Sequence, residues 1–143
     1  NPIKKNLVYS FLNKGCYLYD LENKITKKIN IKANNFCFIG SGTTKGFKER
    51  IRKRIIDNIN LKTKRVFVGS AGIEAVKLIN NELNFILHGR VTPWDHSPID
   101  LIIKESGGFS FMLKNKSMFN IESKGAFLAT NTLDSWFKIK EII

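Results

Sequence analysis

From residue 36 onward, short apolar runs alternate with amphipathic stretches, and most of the runs stop at glycine or a small polar residue. Phe36-Cys37-Phe38-Ile39 stops at Gly40-Ser41-Gly42-Thr43, and Val66-Phe67-Val68 stops at Gly69-Ser70. Between them, Phe47, Ile51, Ile55 and Ile59 are spaced by four, which predicts a helix over about 44–59. A second helix is predicted over about 71–82, with Ile73, Val76, Ile79 and Leu83 on its apolar face. A short strand at 84–87 follows. Pro93-Trp94-Asp95 then leads into Ile99, Ile102 and Ile103 at helical spacing, and Gly107-Gly108 closes that helix as glycine does at a C-terminal cap. Strands at 109–113 and 125–130 and a helix at about 132–142 complete the pattern. Strand and helix in alternation argue an α/β layered domain.

The first residues do not join this alternation. Leu7, Tyr9 and Phe11 alternate with other residues, Asn13-Lys14-Gly15 is a turn signal, and Cys16-Tyr17-Leu18-Tyr19 follows, so a β-hairpin is expected. Residues 25–31 read as a further extended piece. A lone hairpin is marginal in water. No strand of its own class is evident in the chain, so its sheet is expected to lie in residues beyond it. The expected division is 1–32, a remnant of another sheet, and 33–143, an α/β domain. The chain opens on Asn1 rather than Met, which is read as a processed, proteolytic or truncated start.

With 143 residues, 43% hydrophobic and 25% charged, the chain suits one domain or a piece of a larger one. No apolar run approaches the ~18–20 residues of a membrane helix, and Pro2, Lys4, Lys5 and Asn6 interrupt any signal-like start. Cys16 and Cys37 fit neither a disulfide framework nor a metal knuckle and read as buried thiols in a reducing cytoplasm.

The formal charge of +12 favours anionic partners. Lys48, Arg50, Arg52, Lys53 and Arg54 form the densest run, on the outer face of the first predicted helix. A solvated face is the plain reading. A nucleic-acid surface is the other, although no RNA-binding aromatic motif, zinc finger or helix-turn-helix accompanies the run.

Two places invite chemistry. Gly69-Ser70-Ala71-Gly72 stands between a strand and a helix, where free N–H groups suit an anion and Ser70 equally suits an N-cap. Gly40-Ser41-Gly42-Thr43-Thr44 is placed alike but lacks the spacing and lysine of a P-loop. The second place is Pro93-Trp94-Asp95-His96-Ser97-Pro98. Asp95 there either caps the helix or, if Ser97 is the cap, is free for other work. Mg²⁺ is commonly held by one or two carboxylates with phosphate and water, so one Asp can be part of such a site but not all of it. His88 and His96 lack the neighbours of a zinc site, and the adjacency of Asp95, His96 and Ser97 does not make a triad. Glu105 reads as a surface or helix-end residue.

Residues 65–110 resemble the inositol monophosphatase family, the magnesium-dependent, lithium-sensitive phosphomonoesterases. Trp94-Asp95-His96-Ser97-Pro98, followed by Lys104-Glu105-Ser106-Gly107-Gly108, is similar to the family's second signature, and to a bacterial subgroup carrying Pro-Trp-Asp-His-Ala-Pro. Gly69-Ser70-Ala71 resembles its Gly-Ser/Thr-Ala turn, and Gly125 to Asn131 its late strand. Asn1-Pro2, Leu7-Val8-Tyr9 and Lys14 to Leu18 resemble its middle stretch, so the likeness spans essentially the whole chain. The resemblance implies the C-terminal half of a layered αβαβα sandwich, preceded by a hairpin from the N-terminal sheet. It implies Mg²⁺, a phosphorylated small-molecule substrate, and water activated by metal to attack phosphorus. It implies Asp95 as a metal ligand, with Ser70, Ala71, Thr43 and His88 on the substrate side. His88 stands where the family often has an acid. The family's Glu-Glu and Asp-Pro-Ile/Leu-Asp-Gly-Thr elements are not in this sequence, so the chain alone is expected to be nearly inactive, with the N-terminal half of the same fold as partner. A homodimer is also expected, and a membrane is not. The alternative function is a non-catalytic basic α/β module that binds nucleic acid or an acidic partner.

Overall fold

The computed structural model describes residues 1–32 and 38–143. Residues 33–37, which hold Cys37 and the start of the first predicted apolar run, lie outside the described residues.

The hairpin forms where the turn signal predicts it. Strands β1 (Asn6–Phe11) and β2 (Gly15–Asp20) pair antiparallel in the register Leu7↔Tyr19, Tyr9↔Tyr17, and Asn13 takes a left-handed φ of 60° in the turn. The hairpin does have a partner in this chain, contrary to expectation. Strand β3 (Ile25–Ile29) adds to β2 with Cys16 opposite Ile29 and Asp20 opposite Ile25. This is the extended piece expected at 25–31; its pairing with the hairpin was not evident because Ile25 to Lys28 are exposed, and an exposed edge strand carries little apolar signal.

The second sheet is mixed, in the order β5-β4-β6-β8-β7. Strand β4 (Ile39–Thr43) is parallel to both β5 (Lys64–Arg65) and β6 (Phe85–His88), and β8 (Phe127–Thr130) is antiparallel to β6 and to β7 (Phe109–Met112). Strand β4 runs through the glycines expected to end it. A Cβ at Gly40 would fall inside the Phe85 ring, and one at Gly42, where φ is +122°, would overlap the Leu87 carbonyl. These glycines are strand residues because β6 comes too close for anything larger. The left-handed backbone at Gly42 also breaks the ladder on the other side. Val66 still donates to the Gly40 carbonyl at 2.9 Å, but Arg65 reaches the Gly42 carbonyl with its guanidinium instead of its backbone. The predicted strand at 66–68 is therefore only Lys64–Arg65, and Phe67 is left 90% exposed.

Helix α1 (Glu49–Lys62) starts and ends later than the spacing predicts. Residues 44–47 form a tight turn instead, and Ile51 stays exposed, so the buried seam begins at Ile55 and Ile59. Helix α2 (Ala71–Ile79) buries Glu74, Ala75, Leu78 and Ile79, a face rotated by about one residue from the predicted one. Helix α3 spans Pro93–Glu105, and α4 spans Leu133–Ile142.

Both faces of the second sheet are covered. On one face Ile86, Phe127 and Ala129 join Leu78 and Ile79 of α2 and Ile99 and Ile103 of α3. On the other, Phe85, Leu87 and Leu128 join Ile55, Ile59, Trp136 and Ile139 of α1 and α4. The outer side of α3 meets the first sheet, where Cys16, Val8 and Ile29 belong to the same cluster as Ile103. The layers are thus sheet, helices, sheet, helices. Cys16 is a free buried thiol, as expected.

The two sheets are also held together by a carboxylate. Glu105, the last residue of α3, accepts the Asn13 and Gly15 backbone N–H groups at 2.7 Å each, which fastens the hairpin turn to the helix end.

Candidate active site

Two helix starts and two strand ends converge on one opening. Strands β4 and β6 lie side by side and parallel, so Thr43 and His88 are register partners at their C-terminal ends. In open α/β sheets this end of the strands, beside helix N-termini, is where ligands sit. Ser70 is the N-cap of α2, its hydroxyl accepting the Ile73 N–H at 3.5 Å, so the cap reading of Ser70 holds. The first-turn N–H groups of Ala71 and Gly72 then have no intrahelical acceptor.

At α3 neither candidate cap is the cap. Thr92 occupies that position, Pro93 is the first helical residue and Asp95 sits in the first turn, while Ser97 and Pro98 lie inside the helix. Proline at the first position is pre-set for a helix start and decides the frame. The Thr92 hydroxyl donates to Asp95 Oδ2 at 2.7 Å, and no described residue hydrogen-bonds Oδ1. Asp95 is exposed, at the wall of the opening.

The opening is a cavity of about 340 Å³ whose lining includes Thr43, Ser70, Ala71, His88 and Asp95. All five residues singled out in the sequence therefore meet in one place. A second cavity, of about 440 Å³ between Phe47, Met112 and Ala126, has no carboxylate or imidazole in its lining, so its size gives it no claim to chemistry.

What sequence reasoning missed lies just beneath the first cavity. Glu74 is 4% exposed, yet it accepts the Ser41 hydroxyl at 2.6 Å and pairs with His88 Nε2 at 2.7 Å. His88 Nδ1 meets His96 Nε2 at 2.8 Å, and His96 Nδ1 lies 3.1 Å from the Thr92 backbone nitrogen. A carboxylate only accepts, so His88 presents an N–H to Glu74 from Nε2. His96 Nδ1 lies 3.1 Å from both the Thr92 backbone nitrogen and the Thr92 carbonyl oxygen, so either tautomer of His96 finds a partner there. Burial, reinforced by the neighbouring His88, holds His96 below the usual imidazole range. The one available signal was Glu74 itself, an acid on the buried side of a helix whose other buried residues are apolar.

This network changes the part His88 can play. Both its ring nitrogens are engaged inside the protein and it is 4% exposed, so it forms a wall of the cavity. The network also fixes Thr92, which in turn holds Asp95.

No group of three or more His, Cys, Asp or Glu among the described residues is arranged to hold a metal ion. Asp95 fits a hard cation as one ligand, since Oδ1 is uncommitted and carboxylate oxygen is what Mg²⁺ takes.

The inositol monophosphatase family model matches residues 1–139. No curated protein sequence matches the chain. Among solved structures, a hypothetical protein from Pyrococcus horikoshii, described as having similarities to inositol-1 monophosphatase, shares 24% identity over 99% of this chain and 54% of its own, with a TM-score of 0.75. A Staphylococcus aureus IMPase-II solved with inositol monophosphate bound matches at 16% identity over 89% of this chain and 55% of its own, with a TM-score of 0.70. An IMPase/NADP phosphatase complexed with Mg²⁺ and phosphate matches at 12% identity over 89% and 52%, with a TM-score of 0.68. These likenesses establish the layered fold. The chain spans about half the length of each of these structures. Among the described residues no helix is long and apolar enough to cross a membrane.

Proposed function

We propose, from the premise that this chain belongs to the inositol monophosphatase family, that it is the substrate-facing half of a magnesium-dependent phosphomonoesterase. The observation that carries the reading is the meeting of Asp95, Thr43, Ser70 and Ala71 around one cavity, in the lower part of the usual size range for small-molecule sites. The staphylococcal relative has been solved with inositol monophosphate and with 2'AMP, which supports a phosphorylated small molecule as substrate.

In this reading Asp95 Oδ1 is one ligand of the ion, and Thr92 orients it through Oδ2. The ion, when bound, polarises the phosphoryl group and lowers the pKa of a water. The Ala71 and Gly72 N–H groups and the Ser70 hydroxyl hydrogen-bond the alcohol part of the ester, and the α2 N-terminus favours its negative end. Thr43 lines the same cavity, and the buried Glu74–His88–His96 chain backs its wall. Residues 1–32 act as the remnant of the first half of the fold and 33–143 as the second half. One carboxylate is too few for catalysis, so the chain alone turns over little substrate, and a homodimer is the working assembly of the whole fold.

The test uses Mn²⁺ as a paramagnetic stand-in for Mg²⁺ on the isolated chain. Selective broadening of amide signals around Asp95 and Thr92, removed by Asp95→Asn with the melting temperature unchanged, is the expected result. In a protein that contains the whole fold, Asp95→Asn should lower phosphate release at least 100-fold, or about 2.7 kcal/mol. Broadening that is absent from the cavity, or unaffected by the substitution, overturns the assignment.

A further inference from the structure

Strands β7 and β8 keep pairing past their last ladder residues. The Leu113 N–H donates to the Ala126 carbonyl at 2.8 Å, one step beyond Met112↔Phe127. Lys114 and Lys124 therefore leave the ladder on its two facing chains. The Met112 N–H donates to the Ser117 carbonyl at 2.9 Å, which folds residues 113–117 into a turn. Lys116, at a left-handed φ of 51°, fastens that turn, because its ammonium lies 4.3 Å from the Phe137 ring centre and 5.4 Å from that of Phe111. The second cavity, of about 440 Å³, is lined by this turn, by the start of β8 and by Phe47.

Its apolar lining is Phe47, Met112, Leu113 and Ala126. The Phe47 ring is held in place, since a Cβ at Gly89 would lie 2.8 Å from its Cδ2. The small polar residues of the lining satisfy each other locally. The Ser117 hydroxyl donates to Asn115 Oδ1 at 2.8 Å, and the Ser123 hydroxyl accepts the Asn120 N–H at 2.9 Å. Lys114 and Lys124 are different. Both are exposed, and neither has a side-chain hydrogen bond, ion pair or aromatic partner among the described residues. No Asp or Glu lines the cavity to neutralise them. Two ammonium groups without a counter-ion repel each other unless an anion lies between them. Beside an apolar lining they match a molecule with an apolar body and one anionic head, and the volume is in the usual range for small-molecule sites.

We propose that the cavity between Phe47 and the turn after β7 binds a small amphipathic anion, its apolar body on Phe47, Met112, Leu113 and Ala126 and its head group between Lys114 and Lys124. It has no residue in common with the cavity that holds Asp95, so it is a binding site separate from the phosphatase reading.

Amide NMR titration of the chain with octanoate, 1-octanol and acetate tests it. Octanoate should shift the Leu113, Lys114, Gly125 and Ala126 signals. Acetate, which has the head without the body, should leave them in place at the same concentration. Exposed ion pairs contribute little each, so 1-octanol, which has the body without the charge, should bind about fivefold more weakly than octanoate. The variant Lys114→Gln/Lys124→Gln should bring octanoate down to the affinity of 1-octanol and leave 1-octanol unchanged. A control, Lys53→Gln/Arg54→Gln, removes the same charge from the exposed face of α1 and should keep the difference, as should Asp95→Asn. Circular dichroism confirms that the variants are folded. An octanoate Kd weaker than about 10 mM overturns the proposal. So do shifts centred on Ser70 to Gly72 or on Leu7 to Phe11, which would place the ligand at the first cavity or on the first sheet. A preference for octanoate that survives in the lysine variant, or that the α1 control abolishes equally, overturns it as well.

Discussion

Replacing Glu74 tests whether the buried carboxylate organises the site. It accepts a hydroxyl from Ser41 at 2.6 Å and an imidazole N–H from His88 at 2.7 Å, with only 4% of the residue exposed. Glu74→Ala leaves both donors buried without an acceptor. An unsatisfied buried donor costs about 1–3 kcal/mol, so the two together cost about 2–6 kcal/mol. Glu74→Gln behaves differently. Its carbonyl oxygen still accepts from His88, and its amide donates to the Ser41 oxygen, so only the charge assistance is lost, about 1–2 kcal/mol. Unfolding entropy near 2.1 cal/mol/K per residue gives about 0.3 kcal/mol/K for a chain of this length. A loss of about 4 kcal/mol then lowers Tm by about 13 °C, and the Gln variant falls by about 3–6 °C. Differential scanning calorimetry reads both values. The network predicts a second effect in the amide spectrum, since His88 loses its fixed tautomer and the change passes through His96 to the Thr92 N–H. Equal melting temperatures for the two variants, or an unmoved Thr92 signal in Glu74→Ala, would refute the reasoning.

Two further outcomes follow from particular contacts. The Asn13 and Gly15 N–H groups hold Glu105 below the usual carboxylate range. Its folded value is the lower one, so the stabilisation is fully present above about pH 4.5 and is lost as pH falls through the folded value. The Tm gap between the wild type and Glu105→Ala should therefore close on acidification, and a gap still undiminished at about pH 2 contradicts the link. Gly42→Ala places a methyl group on the Leu87 carbonyl at a φ of +122°. It should cost more than about 4 kcal/mol, the exceptional end of single substitutions. A soluble variant melting within a few degrees of the wild type would show that β4 can retreat from β6.

The alternation of elements was legible because strand ends and helix starts here carry their own chemistry: Ser70 at an N-cap, Pro93 at a first turn and Gly107 after a last one. Asp95, Ser70 and Thr43 were brought together by the family resemblance, and the structure gives the physical counterpart, since residues at the ends of adjacent elements share an end of the sheet. The misreadings have one cause in common. Gly40 and Gly42 look like a loop until β6 is known to press on them, and Ile51 looks buried until the turn at 44–47 is known to delay the helix. Cap choice at α3 was ambiguous among oxygens, and it was the ring of Pro93 that resolved it. The Glu74–His88–His96 chain joins residues 14 and 8 apart from two helices and a strand, and the hydroxyl that completes it comes from β4, 33 residues before Glu74. Local periodicity carries no information about such distances. A buried acid on an apolar helix face does carry some, because a carboxylate is held there only when partners are brought to it. In this chain the partners are the two histidines, and through Thr92 they govern the one carboxylate that faces the cavity with an oxygen to spare.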